Sequence, residues 1–489
     1  MKALAQAKLC LLLLAAPAVA RAQTVKPATD APGADSQGAD AVGAGLAEIL
    51  SLATMGTVTP GDQTAHATPD NGGYAIRLPL TGFSSPPDAA IDAVARPAGN
   101  GMWEIPVLTL PSSGAFDMTM LRGEKRHIAY SIGEQAIQVS MDPTFAQNST
   151  FKADIGHISL HSGQGDFHSE QTFGRYTSGG TLSLDSAGLL NMVSQGSVTN
   201  WHLTAKGPAT PEISGTIGKG SGHAGIEGLD RIQGTRLLAA IRALSVSETA
   251  ALHDPAGPTP AMVRDLRGVT DAAAGLLTKV SAEESLDDIR FTGGAVSGAR
   301  IAHMRIGMMG DTARHNLTAS MDIAADGLSM AGLSAELAAY LPRHLALKTS
   351  IAGMQIGPLL ELLRAATAPG ADPAALQPQL AALFAGGAQA GIESFAFDSG
   401  PLAVTGSARF IPQASGPMGT AVHISATGLD ALMARAQNDR SLQQILPMMF
   451  LAKGMGRQQG NAVVWDIVLG NGPVTVNGVP FGQPPAPKR

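Results

Sequence analysis

From about residue 70 to 224 apolar and polar side chains alternate with a period of two, run after run. The clearest runs are Tyr74-Ala-Ile-Arg-Leu-Pro-Leu80, Met102-Trp-Glu-Ile-Pro-Val-Leu-Thr-Leu110, His127-Ile-Ala-Tyr-Ser-Ile132 and Ala136-Ile-Gln-Val-Ser-Met141. Gly, Asn, Asp or Pro punctuates them roughly every ten residues, the pattern of an antiparallel meander or sandwich. The opposite faces carry Ser, Thr, Gln and Arg, so one side of the sheet is expected to be wet. Glycine, at 58 of 489 residues, has no three-residue period, which excludes collagen. A hydrophobic content of 44% excludes disorder of the whole chain. Only 15% of residues are charged and 4% aromatic, which argues against a nucleic-acid binder with its basic surface and stacking rings.

The N-terminus reads as a cleaved secretory signal over residues 1–22. Lys2 and Lys8 precede the apolar stretch Leu9 to Ala16, Pro17 ends it, and Ala20-Arg21-Ala22 supplies a small-x-small cleavage pattern. Ala18-Val19-Ala20 offers a second site, so cleavage is expected after Ala22 or Ala20. Eight apolar residues are too few to span ~30 Å of hydrocarbon. The single cysteine, Cys10, lies inside this segment, so the mature chain has no disulfide and no thiol nucleophile. Losing Lys2, Lys8 and Arg21, three basic residues and no acid, takes the formal charge from −6 to −9. A periplasmic or otherwise exported location is expected, without electrostatic attraction to anionic lipid or phosphate. No later segment reads as a membrane span. The uncharged run Pro373 to Ile392 carries three glutamines, a second proline and three glycines, and reads as a soluble helix followed by a loop.

Residues 23–45 form a flexible lead-in of Ala, Gly, Asp and Pro, and 46–224 the β-rich N-terminal region. Over 225–341 helical spacing enters at Leu237, Leu238, Ile241 and Leu244, then at Met262, Leu266, Val269 and Ala273, before strands return near 287–325. Over 342–489, which ends in a short disordered tail, one unit occurs twice. A strand (His344 to Met354) leads to two helices, from Pro358 and from Pro373, and to a hairpin ending Ser399-Gly-Pro-Leu-Ala-Val-Thr-Gly406. The second copy runs from Thr420 through helices carrying Leu432, Met433, Leu442, Ile445, Leu446 and Met449, stops at Lys453-Gly454, and closes with Asn471-Gly-Pro-Val-Thr-Val-Asn-Gly478. A weaker echo of the opening strand lies in Leu317 to Leu328. The apolar helix faces are expected to lie on the sheet. The expected fold class is therefore α+β: extended antiparallel sheets covered by amphipathic helices.

Phe450-Leu-Ala-Lys-Gly-Met-Gly456, Val463-Val-Trp-Asp-Ile467 and Val474-Thr-Val-Asn-Gly-Val-Pro480 together resemble the end of domain-of-unknown-function family 2125, exported proteins of Gram-negative bacteria. The closing hairpin is also similar to family 945. The resemblance covers about 317 to 481 and implies an envelope protein with no assigned reaction and no catalytic residues to carry over. It also suggests a relation to large periplasmic β-rich proteins that handle lipids. Read as residues, the motif specifies structure. Val463, Trp465, Ile467 and Leu469 share one strand face and Ala462, Val464 and Val468 the other, the mark of a central, covered strand. Asn471-Gly472 and Asn477-Gly478 suit the positive φ of tight turns. Trp465, Gly472, Pro473, Asn477 and Gly478 are thus singled out as structural positions.

Chemical motifs are few. Gly220-Ser-Gly222-His-Ala-Gly225 matches a dinucleotide fingerprint, but about twenty positions on stand Ala240, Ile241 and Arg242 where an acid is needed, so it reads as a flexible loop. His157 and His161 on a strand would lie ~13 Å apart, too far for one zinc ion. They and His168 read as surface residues. Glu283-Glu284 and Asp287-Asp288 read as a solvated stretch joining helix to strand. There is no G-x-S-x-G, H-E-x-x-H or Walker lysine. No catalytic, cofactor-binding or metal-binding residue is expected. The expected function is a non-enzymatic envelope protein that binds or scaffolds lipid or another apolar ligand. The alternatives are an assembly protein of the envelope and a hydrolase with no local motif.

Overall fold

The computed structural model describes residues 42–44, 46, 59–60 and 66–70 and most of 73–481. Within that last span it omits 82, 87, 120–124, 143–147, 165–166, 208–209, 245–259, 294–297, 313–315, 367–372, 386, 412–418, 439–442, 445 and 471, with single positions between 231 and 277. The expected signal, nearly all of the lead-in and the tail after 481 lie outside the described residues. Strands make up 65% of the structure and helices 20%. The fold is mostly β, which corrects the α+β expectation. The chain divides into two compact units, Met1–Glu284 with Phe291–Ala295, and Ser285–Arg290 with Val296–Arg489.

The N-terminal unit contains β1 (Thr59–Pro60), β2 (His66–Asp70), β3 (Gly73–Thr81), β4 (Phe83–Ser85), β5 (Ala90–Gly99), β6 (Met102–Thr109) and β7 (Ser113–Thr119). Five long strands follow: β8 (Lys125–Met141), β9 (Ser149–Gln164), β10 (Phe167–Leu184), β11 (Leu190–Gly207) and β12 (Thr210–Leu229). They pair antiparallel in the order β3-β5-β6-β8-β9-β10-β11-β12. A helix, α1 (Pro260–Ala273), follows the sheet, and β13 (Lys279–Thr292) has both its ends in this unit and Ser285–Arg290 in the other. The core joins Ile76, Leu78, Ile91 and Ile105 of the short strands to Met141, Leu182, Leu190 and Met192 of the long ones.

The long strands do not keep one alternation. Buried side chains step by three, not two, from Ile155 to Ile158, Phe173 to Tyr176 and Val198 to Trp201. The register aligns these steps across the sheet: Ile132, Ile158 and Phe173 lie in one row, and Ile155, Tyr176 and Val198 in another. Between them runs a crease through Gly133, His157, Gly174, Asn200 and Gly218. His157 and Asn200 both have φ 52°. A left-handed residue inside a strand turns the chain and resets which face the next residue meets. Its Cβ crowds the neighbouring strand, where only glycine leaves room. A Cβ on Gly133 would sit 2.9 Å from that of His157, and one on Gly174 3.1 Å from that of Asn200.

The fingerprint Gly220 to Gly225 lies inside β12, not in a loop. Its glycines answer a close backbone approach, since a Cβ on Gly222 would meet the Glu283 carbonyl oxygen at 2.8 Å. Glu283, Glu284, Asp287 and Asp288 likewise belong to β13 and not to a connecting stretch.

The C-terminal unit contains β14 (Ala299–Asp311), β15 (Asn316–Asp326), β16 (Ser329–Met330), α2 (Ala335–Ala338), β17 (His344–Gln355), α3 (Ile356–Ala366), α4 (Pro373–Ala385), β18 (Gln389–Asp398), β19 (Ala403–Ile411) and β20 (Gly419–Thr427). Then come α5 (Leu429–Asn438), α6 (Leu446–Met455), β21 (Arg457–Gln459), β22 (Ala462–Leu469), β23 (Val474–Val476) and β24 (Val479–Phe481). The strands form an antiparallel meander, β14-β15-β17-β18-β19-β20-β22-β23-β24. From β17 to β19 the order is strand, two helices, strand, Gly-Pro turn, strand, and from β20 to β23 it is strand, two helices, two strands, Gly-Pro, strand. Gly353, inside β17 near its end, and Gly428, just after β20, have φ of 68° and 82°, and Gly327 of the weaker echo has 67°. Two local readings change. Gln389 to Ile392 begin β18 and do not form a loop. Gly454 lies within α6, and the helix stops at Gly456, whose N–H bonds back to the Ala452 and Lys453 carbonyls.

Candidate functional site: the apolar face of the C-terminal sheet

Side chains directly opposite each other in paired strands share a face. Followed strand to strand, the register of the C-terminal meander separates two unlike faces. One central row reads Met308, Met321, Thr349, Ile392, Ala408, Val422 and Ile467, on β14, β15, β17, β18, β19, β20 and β22. The adjoining row reads Ile306, Ile323, Leu347, Phe395, Gly406, Ile424 and Trp465. Neither row contains a charge. Thr349 holds the one side-chain oxygen, and its hydroxyl donates to the Met321 carbonyl at 3.4 Å. Gly406 lets the Phe395 ring lie down on the sheet, because a Cβ there would meet that ring at 2.5 Å.

The helices do not cover this face, contrary to the expectation. β17 and β20 run antiparallel, so the helix pairs that follow them emerge at opposite ends of the sheet. At one end Leu383 and Phe384 of α4, with Leu359 and Leu362 of α3, pack on Ile351, Met354 and Ala390. At the other, the Trp465 indole N–H donates to the Ala452 carbonyl of α6 at 2.7 Å. Between them the face is half-covered: Met308 and Met321, on β14 and β15, are 52% and 42% exposed, and the other members of both rows are half-buried. The physical reason is length. A helix of ten to thirteen residues spans only ~15–20 Å and caps a few strand ends of a sheet many strands wide. α6 has no buried residue, and Met448 on its outer side is 71% exposed.

The opposite face is polar and laced with cross-strand pairs: Arg305–Asp322, His344–Asp326, Lys348–Glu393 and His423–Asp466. The Lys348 ammonium, with help from Ser350, holds the Glu393 carboxyl below its ordinary range. Asp287, His303, Asp326, His344 and Asp398 alternate acid and imidazole, with Asp287 and His303 joined at 2.7 Å and the rest in register. Ser407, His423 and Asp466 lie side by side on β19, β20 and β22, in the order of a hydrolytic triad. His423 Nδ1 meets Asp466 Oδ1 at 2.7 Å.

The geometry accounts for Trp465, Asn477 and Gly478 among the singled-out residues, whereas Gly472 does not take the positive φ expected of it. Asn477 and Gly478, with φ 51° and 80°, form the two-residue turn between β23 and β24. The Asn477 side chain accepts from the Asp466 N–H at 2.9 Å and donates to the Met455 carbonyl at 2.8 Å, tying β22 to the end of α6. Gly472 and Pro473 lie exposed between β22 and β23, and Asn471 lies outside the described residues. β22 is covered on both faces only in its first half. Val463 and Val464 are buried, whereas Val468 and Leu469 are exposed.

His157 is on the crease, His161 pairs in register with Glu170 and Ala129, and His168 lies opposite Gly163. All three are exposed. Among the described residues no three His, Cys, Asp or Glu side chains converge on a metal position. Nor is any described helix long and apolar enough to cross a membrane. Sequence reasoning missed the apolar face itself. Its signal was present as alternation inside each strand, but only the register joins those strands into one surface. No family model matches the chain, and no match is found among curated proteins or solved structures.

Proposed function

We propose that this chain is a non-enzymatic protein of the bacterial envelope, exported by its N-terminal segment, that binds or scaffolds lipid or another apolar ligand on the open face of the C-terminal sheet. The observation that carries the reading is an uncharged apolar face across seven strands, in whose two central rows no side chain is fully buried. Apolar surface of that extent is costly to leave in water and marks a place where something binds. The resemblance of the closing hairpin to exported families and the signal-like residues 1–22 support the location. Native mass spectrometry of gently purified protein tests the binding. Copurified lipid or another apolar molecule is expected, and a chain that carries none, and takes up none when offered, sinks the reading.

A second reading is an assembly protein of the envelope. It is favoured by the outer side of α6, where Met448, Phe450 and Leu451 are exposed together. Cross-linking in cells separates the two, since a reproducible protein partner without bound lipid supports the second.

A further inference from the structure

In place of the protein partner of the second reading, we infer that the exposed side of α6 docks on the surface of a lipid bilayer. The helix reads Leu446-Pro-Met-Met-Phe-Leu-Ala-Lys-Gly-Met455, apolar on every side except at Lys453, which bonds Asp430 of α5. A helix of that composition belongs inside a core or against hydrocarbon, yet none of its residues is buried. The second helix of the other pair, α4, makes the contrast: its Leu383 and Phe384 pack into a core. Even so, α6 is fixed in place. Its last turn accepts from the Trp465 indole at the Ala452 carbonyl and from the Asn477 amide at that of Met455. Pro447, Met448, Phe450, Leu451 and Gly454 are left exposed on one side, at helical spacing.

Chemistry and size favour a bilayer over a protein here. None of the five side chains carries an N–H or O–H group, so nothing on this side fixes the register of a partner. Met448, Phe450 and Leu451 are half to seven-tenths exposed and offer under ~500 Å² of apolar surface, even if each is counted as a large aromatic. A stable interface, with a second copy or another protein, buries about 800 Å² a side. A ten-residue helix, about 15 Å long, is too short to cross a bilayer, but one lying in the surface sinks its apolar side ~5–10 Å. Charge points the same way. From Leu429 to Gln459 the chain carries Arg435, Arg440, Lys453 and Arg457 against Asp430 and Asp439, four bases to two acids, a local +2 in a chain of −6. That sign suits anionic headgroups.

Vesicle flotation of the full-length protein tests the docking. Binding to phosphatidylcholine vesicles is expected, about fivefold tighter when roughly a third of the lipid is phosphatidylglycerol, with that gain lost in ~0.5 M salt. Met448→Asp and Phe450→Asp are each expected to weaken it about tenfold. Val193→Asp, at an exposed position of the N-terminal unit, is expected to leave it unchanged. So is Val422→Asp, on the central row of the C-terminal sheet, which separates docking from ligand uptake on that sheet. Melting temperatures check that the variants are folded, and the wild-type measurement needs no variant. Absence of flotation overturns the docking and leaves an apolar ligand on the sheet standing. Flotation that survives both α6 substitutions, or that a folded Val422→Asp abolishes equally, overturns it too. A dimer in sedimentation that Phe450→Asp splits overturns the bilayer in favour of a second copy.

Discussion

In the N-terminal unit Ile105 and Met141 are fully buried, and one core joins the short strands to the ends of the long ones. In the C-terminal unit no residue of the central apolar row is buried. Both regions are antiparallel sheets built on the same two-residue alternation, so alternation does not decide which one closes. Strand length and the crease do. Strands β8 to β12 run 16 to 20 residues and turn together at one transverse line, while β14 to β20 are shorter and lack such a line. A sheet that folds on itself makes its own core. One that stays open presents its apolar face to whatever arrives.

The sharpest way to break this comparison is to remove the same methylenes from each unit. Ile105→Ala should cost about 2–5 kcal/mol, because a closed core cannot relax around the cavity. Ile424→Ala, on the half-covered face, should cost about 1 kcal/mol, since much of that side chain already meets water. Urea unfolding of both variants checks this, and equal losses would mean that the C-terminal face is covered after all. Next in size is Asn477→Ala. It gives up side-chain bonds to Asp466 and Met455 and places a Cβ residue without local bonding at positive φ, for a loss of about 2–3 kcal/mol. Asn477→Gly keeps the turn and should lose less.

The crease offers a third probe. Asn200→Val sets a β-branched residue at φ 52° and should destabilise the N-terminal unit by about 1–3 kcal/mol. Asn200→Gly should stay within about 0.5 kcal/mol of wild type. If valine is tolerated as well as glycine, the left-handed row does not shape the sheet. The smallest effect belongs to the surface pairs. Arg175 holds the Asp154 carboxyl below its ordinary range through a bidentate hydrogen bond. A depressed carboxyl contributes stability above its unfolded range and loses it as pH falls through the folded value, so the increment should fade below about pH 4. Both partners are exposed, so Arg175→Ala should move the acid limb of the melting curve only slightly, and less at high salt. Lys348→Ala, removing the partner of Glu393, should behave alike in the other unit.

Much of the strand content was legible, because runs such as Met102 to Leu110 commit one face to water and one to a core. The Asn477-Gly478 turn was legible for a similar local reason: few residues accept positive φ. The crease was not, because a count in twos along β9 fails silently at His157 and only the neighbouring strands show that the failure is shared. The helix cover was misread because the apolar side of α4 or α6 says that it needs burial without saying how wide a sheet it must serve. The apolar strip was half legible. Each strand supplied its own alternation, but Met308 and Ile467 are 159 positions apart, and nothing local announces that they share a row.

The crease also bears on how such a sheet can grow or shrink. Glycine stands on β8, β10 and β12 and a left-handed non-glycine on β9 and β11, and β13 carries its own left-handed residue at Asp288, with φ 54°. Each hairpin thus brings one of each kind, and a lone strand added or lost would set two bulky left-handed residues, or two glycines, side by side. The unit of duplication or deletion compatible with this architecture is therefore the hairpin, and homologous chains of different length should differ here by even numbers of strands.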